Sequence, residues 1–140
     1  MNNKGPDRPG GAWWAVVLDR PEVSTRPPAS RAELNAAEAK VDTALPLALR
    51  DLYLQTDGVW DRAGQWYVIW PLEHLLARNG GTAAERTGVA FGDDGTGNAF
   101  CIHTDGSVSY WSEIDAKHTC LAPDLESFWT AWVHDDLPPH

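Results

Sequence analysis

The chain has 140 residues and a mass of 15.4 kDa, which suits one domain and buries about two-thirds of the unfolded surface, enough to fold without disulfide or metal staples. With 43% hydrophobic and 22% charged residues it has the composition of a soluble globular protein. Its net charge of −9, from 11 basic and 20 acidic side chains, repels phosphate backbones and anionic lipid. That argues against a nucleic-acid or membrane partner and in favour of a basic one.

Residues 1–31 carry five basic and three acidic side chains and five of the ten prolines, so the acidity lies downstream. Residues 1–12 read as a flexible tail. The apolar run Trp13 to Leu18 is too short for a signal-peptide core or a membrane span, which points to a cytoplasmic protein. It is also too apolar to stay in water, so 13–29 is read as a docked apolar segment and linker. The domain proper is placed at 30–136, with a tail at 137–140.

Ser30-Arg31-Ala32-Glu33 has the form of a capping box, and Leu34, Ala37 and Val41 then share a helical face. A second helix is expected from Leu45-Pro46, with proline at its first position, Leu49, Leu52 and Tyr53 buried, and Gly58 as a left-handed stop. Trp60 falls in the turn expected after it. Trp66 to Trp70 (WYVIW) is aromatic and β-branched on both faces and reads as a central strand, with Trp66 or Trp70 filling the sheet. Leu72 to Arg78 is a short helix and Val89 to Phe91 a strand.

Ala99 to His103 and Ser107 to Trp111 form a hairpin about Thr104-Asp105-Gly106. A three-residue loop with Gly106 at positive φ is preferred, because it gathers Phe100, Ile102, Val108 and Tyr110 on one face. A last strand near His118 to Leu121 precedes a helix with Pro123 at its first position. In that helix Leu125, Phe128, Trp129, Trp132 and Val133 follow the 3.6-residue period. Asp135 and Asp136 oppose its dipole and are expected beyond its end or facing a partner. The order is that of a single α+β domain: a central, mainly antiparallel sheet with N-terminal helices and a C-terminal helix packed around it.

The chemistry is sparse. Gly92, Gly95 and Gly97 invite a phosphate-loop reading, but Asp93 and Asp94 inside the loop and a strand after it favour a plain turn. The calcium-loop spacing is absent. Cys101-x-His103 and His118-x-Cys120 place two cysteines and two histidines on one face of neighbouring strands, a possible zinc set that lacks the usual ligand spacings. The plainer reading is two buried cysteines and two half-exposed histidines. No nucleophile signature is present, so no catalytic residue is named and no cofactor is implied.

From Asp93 to His140 there are nine acidic residues, one lysine and no arginine. Such a face steers a basic partner. Asp61, Asp93, Asp94, Glu113 and Asp115 are the candidates for charge steering, with Trp60 and Trp111 as candidate anchors.

Ser30-Arg31-Ala32-Glu33-Leu34 leading to Ala37-Glu38, then Leu45-Pro46, Leu49, Leu52-Tyr53 and Asp57-Gly58, resembles the opening of the SUKH superfamily. Val89-Ala90-Phe91-Gly92 to Gly97-Asn98 resembles its central glycine motif, and Leu125 to Trp129 its closing helix. The resemblance covers about residues 30–134. Asn98 stands where an acidic residue is common and His103 where relatives often have Asp. The resemblance implies an α+β fold and a binding function: an intracellular immunity protein that associates with a cognate polymorphic toxin, a basic nuclease-like one on charge grounds. The alternative is a non-enzymatic regulatory scaffold related to cell-wall-synthesis regulators. A metal-dependent enzyme built on the Cys/His set is the third and least favoured reading.

Overall fold

A computed structural model describes residues 23–41, 45–79, 88–134 and 136–139, with the backbone alone at Val41. The apolar run at 13–18, the tail at 1–12, Asp135 and the Val41 side chain lie outside the described residues.

The capping box forms as the spacing predicts. The Glu33 amide donates to Ser30 Oγ at 3.1 Å, and the Ser30 amide donates to Glu33 Oε1 at 2.8 Å. Helix α1 follows over Arg31–Val41, with Leu34 and Ala37 buried. Pro46 sits one residue earlier than expected, at the N-cap of α2 (Leu47–Tyr53), where its carbonyl accepts from the Leu49 and Arg50 amides. The two helices are tied by Glu38, which accepts from Arg50 Nη1 at 2.6 Å and from the Leu45 amide at 2.7 Å.

Gly58 is not the helix stop. α2 is closed by Leu54 in right-handed geometry, and Gly58, at φ 125°, instead turns the chain into strand β2 (Val59–Asp61). A Cβ there would come within 3.2 Å of Pro71. Trp60 therefore lies in a strand rather than in a turn. Strand β1 (Val23–Thr25) falls in the segment read as a linker and pairs antiparallel with β2, Val23 opposite Asp61. Behind it, the Ala29 amide donates to Tyr53 O and the Asp57 amide to Pro27 O, so this short stretch packs on the domain.

The WYVIW stretch supplies β3 (Trp66–Ile69), which completes a three-stranded sheet in the order β1-β2-β3. Helix α3 (Leu72–Asn79) leads to β4 (Val89–Asp93), β5 (Ala99–Ile102), β6 (Val108–Ser112) and β7 (Lys117–Ala122), a four-stranded antiparallel meander. The fold is α+β, but the one expected sheet is divided into two hydrogen-bonded ladders. They adjoin where the Trp70 amide donates to Phe91 O at 2.7 Å. Gly92 makes that approach possible, since a Cβ there would lie 1.8 Å from the Val68 carbonyl oxygen.

The hairpin adopts the three-residue loop. Gly106 has φ 89°, and the register pairs Ile102 with Val108 and Phe100 with Tyr110. Helix α4 (Leu125–Val133) begins two residues later than expected. Asp124 is its N-cap, accepting from the Ser127 amide at 2.7 Å, and Pro123 precedes it. Its Phe128 packs edge-on against Phe91 and Phe100, with ring centroids 5.7 and 4.9 Å away. Asp136 lies beyond the helix end, as the dipole argument requires.

Candidate functional site

Three loops meet at one end of the two sheets, and they carry most of the acidic residues singled out above. Trp66 joins two of them. A Cβ on Gly64 would stand 2.2 Å from its ring and a Cβ on Gly95 2.4 Å, so the β2–β3 turn and the β4–β5 loop both close on the same indole. The Trp66 ring nitrogen is buried with no hydrogen-bond partner among the described residues.

Each carboxylate at this end is held by its own loop. Asp61 Oδ1 accepts from the Ala63 and Gly64 amides at 3.0 and 3.2 Å. Asp93 accepts from Trp70 Nε1 and from the Gly95 amide, both at 2.8 Å. Asp94 accepts from the Thr96 amide and hydroxyl through one oxygen and from the Tyr110 hydroxyl, at 2.9 Å, through the other. These are turns closed by aspartate side chains, the mechanism that makes Asp-rich loops well defined.

Tyr110 and Asn98 join the β4–β5 loop to the β6–β7 turn. Asn98 Nδ2 donates to the Tyr110 hydroxyl at 3.1 Å, while Asn98 Oδ1 accepts from the Glu113 amide at 3.0 Å. The Asn98 amide donates and accepts at once. An ionised acid, common at this position in the resembled family, has no donor for the tyrosine. Glu113 in turn accepts from Trp111 Nε1 at 2.6 Å, and the Asp115 amide donates to Ser112 Oγ at 3.2 Å.

The structure thus brings Asp61, Asp93, Asp94, Glu113 and Asp115 to one end of the molecule. It does not support Trp111 as an anchor, because that side chain is 1% exposed and belongs to the core. Trp60 is half-buried and packs edge-on against Tyr67, centroids 4.8 Å apart. The residue that the sequence reading missed is Ile114. It is 94% exposed at the tip of the β6–β7 turn, between Glu113 and Asp115. An isoleucine between two acids and outside any apolar period was the available signal.

The Cys/His set lies along one face of the four-stranded sheet, with Cys101 and His103 toward the 103–107 hairpin and His118 opposite Trp111 beside the β6–β7 turn. Cys101, Ser109 and Cys120 are cross-strand neighbours, so the expected sharing of a face is correct. Ser109 occupies the middle of it. Its hydroxyl lies 2.7 Å from His103 Nε2 and 2.7 Å from His118 Nδ1. Carrying one proton, that oxygen donates to one ring at most and accepts from the other. Cys101 is buried, but Cys120 is exposed, against the expectation of two buried cysteines. Among the described residues no group of three or more His, Cys, Asp or Glu side chains is placed to hold a metal ion. The zinc constellation is therefore not assembled.

Two further titratable groups are perturbed elsewhere in the domain. Burial pushes the His74 imidazole below its ordinary value, with Arg78 acting in the same direction. His74 stacks on Trp70 at 4.8 Å, and the Arg78 guanidinium lies over the same indole at 4.6 Å. Asp57, which accepts from the Leu72 amide at the start of α3, is raised, chiefly by burial. No described helix is long and apolar enough to cross a membrane.

No curated protein matches the chain. The sequence model of the SMI1 / KNR4 family (SUKH-1) matches residues 28–130. That range starts just after β1, includes β2 to β7 and the helices between them, and ends inside α4, so it contains the three acidic loops and the strands on either side of each. The chain belongs to the SMI1 / KNR4 (SUKH-1) family.

Proposed function

We propose that this chain is a cytoplasmic, non-enzymatic immunity protein that neutralises a basic toxin domain by direct association, docking through the loops at 61–65, 93–98 and 112–116. Membership of the family supports the class of function, since a binding role is what the family implies. The observation that carries the surface is the 94% exposed Ile114 on a turn pinned by Asn98 and Trp111 and flanked by acids. A turn whose backbone is fixed before contact loses little entropy on binding, and the surrounding carboxylates accelerate encounter with a cationic surface. Asp61, Asp93, Asp94, Glu113 and Asp115 supply that field and Trp60 adds apolar area beside it.

The test begins with co-purification of the chain with the product of the adjacent reading frame, followed by titration calorimetry. A one-to-one complex tighter than about 10 nM, equivalent to about −11 kcal/mol, that abolishes the partner's toxicity is the expected result. Two folded proteins that do not associate would overturn the reading and leave the regulatory scaffold in its place.

Asp93 and Asp94 hold their own loop, so charge reversal there would disturb structure and binding together. Asp115→Lys and Ile114→Arg separate the two. The first should slow association about tenfold and flatten its salt dependence. The second should raise the dissociation rate about tenfold or more. Unchanged rates for both would exclude this end as the interface.

A further inference from the structure

Away from the acidic loops, α1 and α3 border a cleft of about 360 Å³. Ala36, Ala37, Leu72 and Leu76 provide its apolar lining, and Glu33, Asp57 and Glu73 bring three carboxylates to it. Asp57 is the deepest of these. One of its oxygens accepts from the Leu72 amide at 2.8 Å, and its other oxygen has no hydrogen-bond partner among the described residues.

The charges in the cleft do not cancel around Asp57. Arg26 favours its ionised form, while Glu33 and Glu73 both oppose it, and Arg26 is itself engaged by Glu73 at 3.8 Å. Arg26 and Lys40 also line the cleft; Arg26 is one cation beside three carboxylates, while Lys40 stands two turns from Glu33 on α1, about 10 Å along the axis. One end of the cleft is therefore anionic and partly shielded from water, with an aliphatic wall leading to it. Burial raises Asp57 above its ordinary value, and Glu33 and Glu73 add to the rise.

We infer that this cleft receives a primary ammonium carried on an aliphatic stem, a lysine side chain of the protein partner, with the stem along Ala37, Leu72 and Leu76 and the ammonium at Asp57, Glu33 and Glu73. Such a group matches the site in both halves. Its methylenes cover the apolar wall, and its three donors meet the three carboxylates, Asp57 through the oxygen that the Leu72 amide leaves open. The inference deepens the reading of a basic partner by giving one of that partner's cations a seat apart from the charge-steering loops.

The experiment uses the free 140-residue chain, labelled with nitrogen-15, titrated with Nα-acetyl-lysine N-methylamide, n-pentylammonium, n-pentanol and spermidine. The first two should shift the Ala37, Asp57, Leu72 and Leu76 amides in a saturable way. Pentanol should bind at least fivefold more weakly, and Glu73→Gln should weaken the two ammonium probes several-fold. Ala36→Lys, which supplies an ammonium from the wall itself, should abolish their binding while the spectrum elsewhere stays folded. Equal binding of pentanol, or ammonium binding indifferent to Glu73→Gln, would overturn the site. Spermidine binding more tightly than the lysine derivative would overturn the protein side chain as its source. No toxin enters this titration, so its failure is distinguishable from failure of the toxin-binding reading.

Discussion

The two ends of the four-stranded sheet use their polar groups in opposite ways. At the loop end, five carboxylates accept from nearby amides, hydroxyls and indole N–H groups beside solvent. At the hairpin end, one serine hydroxyl, in a residue 4% exposed, satisfies two imidazoles. The first arrangement is rigid and charged, the second closed on itself. A surface of the first kind meets a partner with little ordering cost and a strong field. The second stabilises the sheet and offers no net charge when both rings are neutral.

The comparison can be broken at its mechanical root by Gly92→Ala. A Cβ 1.8 Å from the Val68 carbonyl would push the two sheets apart and displace Asp93 with them. A loss of about 3 kcal/mol, at the upper end of overpacking effects, should appear in urea unfolding. A variant as stable as the parent would show that the sheet junction does not hold the acidic loops.

Tyr110→Phe tests the loop end without changing its charge. Its hydroxyl meets Asp94, Asn98 and Thr96, and removing it should cost about 2 kcal/mol, the range for a hydrogen bond to a charged group. Amide exchange should quicken at 94–98 and at 113 but not in the 103–107 hairpin. Ser109→Ala is the matching change at the hairpin end. It should cost about 1 kcal/mol and leave toxin association untouched. Slower association in that variant would merge two ends that are here kept apart.

A smaller effect comes from His74, behind the loop end. Its folded-state value is lowered by burial and by Arg78, so the unfolded chain takes up its proton first as the pH falls. The stability it contributes is complete above about 6.5, the ordinary imidazole value. It is lost as the pH drops from there toward the lowered folded value. Unfolding midpoints measured across that interval should decline less in His74→Gln than in the parent, and parallel declines would remove His74 from the account.

Much of the architecture was legible in the residues because it rests on local rules. The capping box Ser30/Glu33, the buried stripe Leu49-Leu52-Tyr53 and the 3.6-residue period from Leu125 to Trp129 each refer to neighbours within a turn or two of helix. The hairpin register followed from asking which loop length puts Phe100, Ile102, Val108 and Tyr110 on one face. Local rules failed where a partner was distant in sequence. Val23–Thr25 is a strand only because Val59–Asp61 lies beside it, so a three-residue segment read as linker and a tryptophan read as part of a turn became paired strands.

The site divides along the same line. Composition and spacing alone determined that the chain is acidic, that its acids cluster after Asp93, and that its cysteines and histidines share one face. Tertiary structure decided that Trp111 is core, that Asp93 and Asp94 secure their own loop, that Ser109 stands between His103 and His118, and that Ile114 is the exposed apolar tip. The physical reason is that burial and hydrogen-bond partnership belong to pairs of residues brought together by folding. Charge and period belong to the residues themselves and their near neighbours, and so can be read before the chain folds.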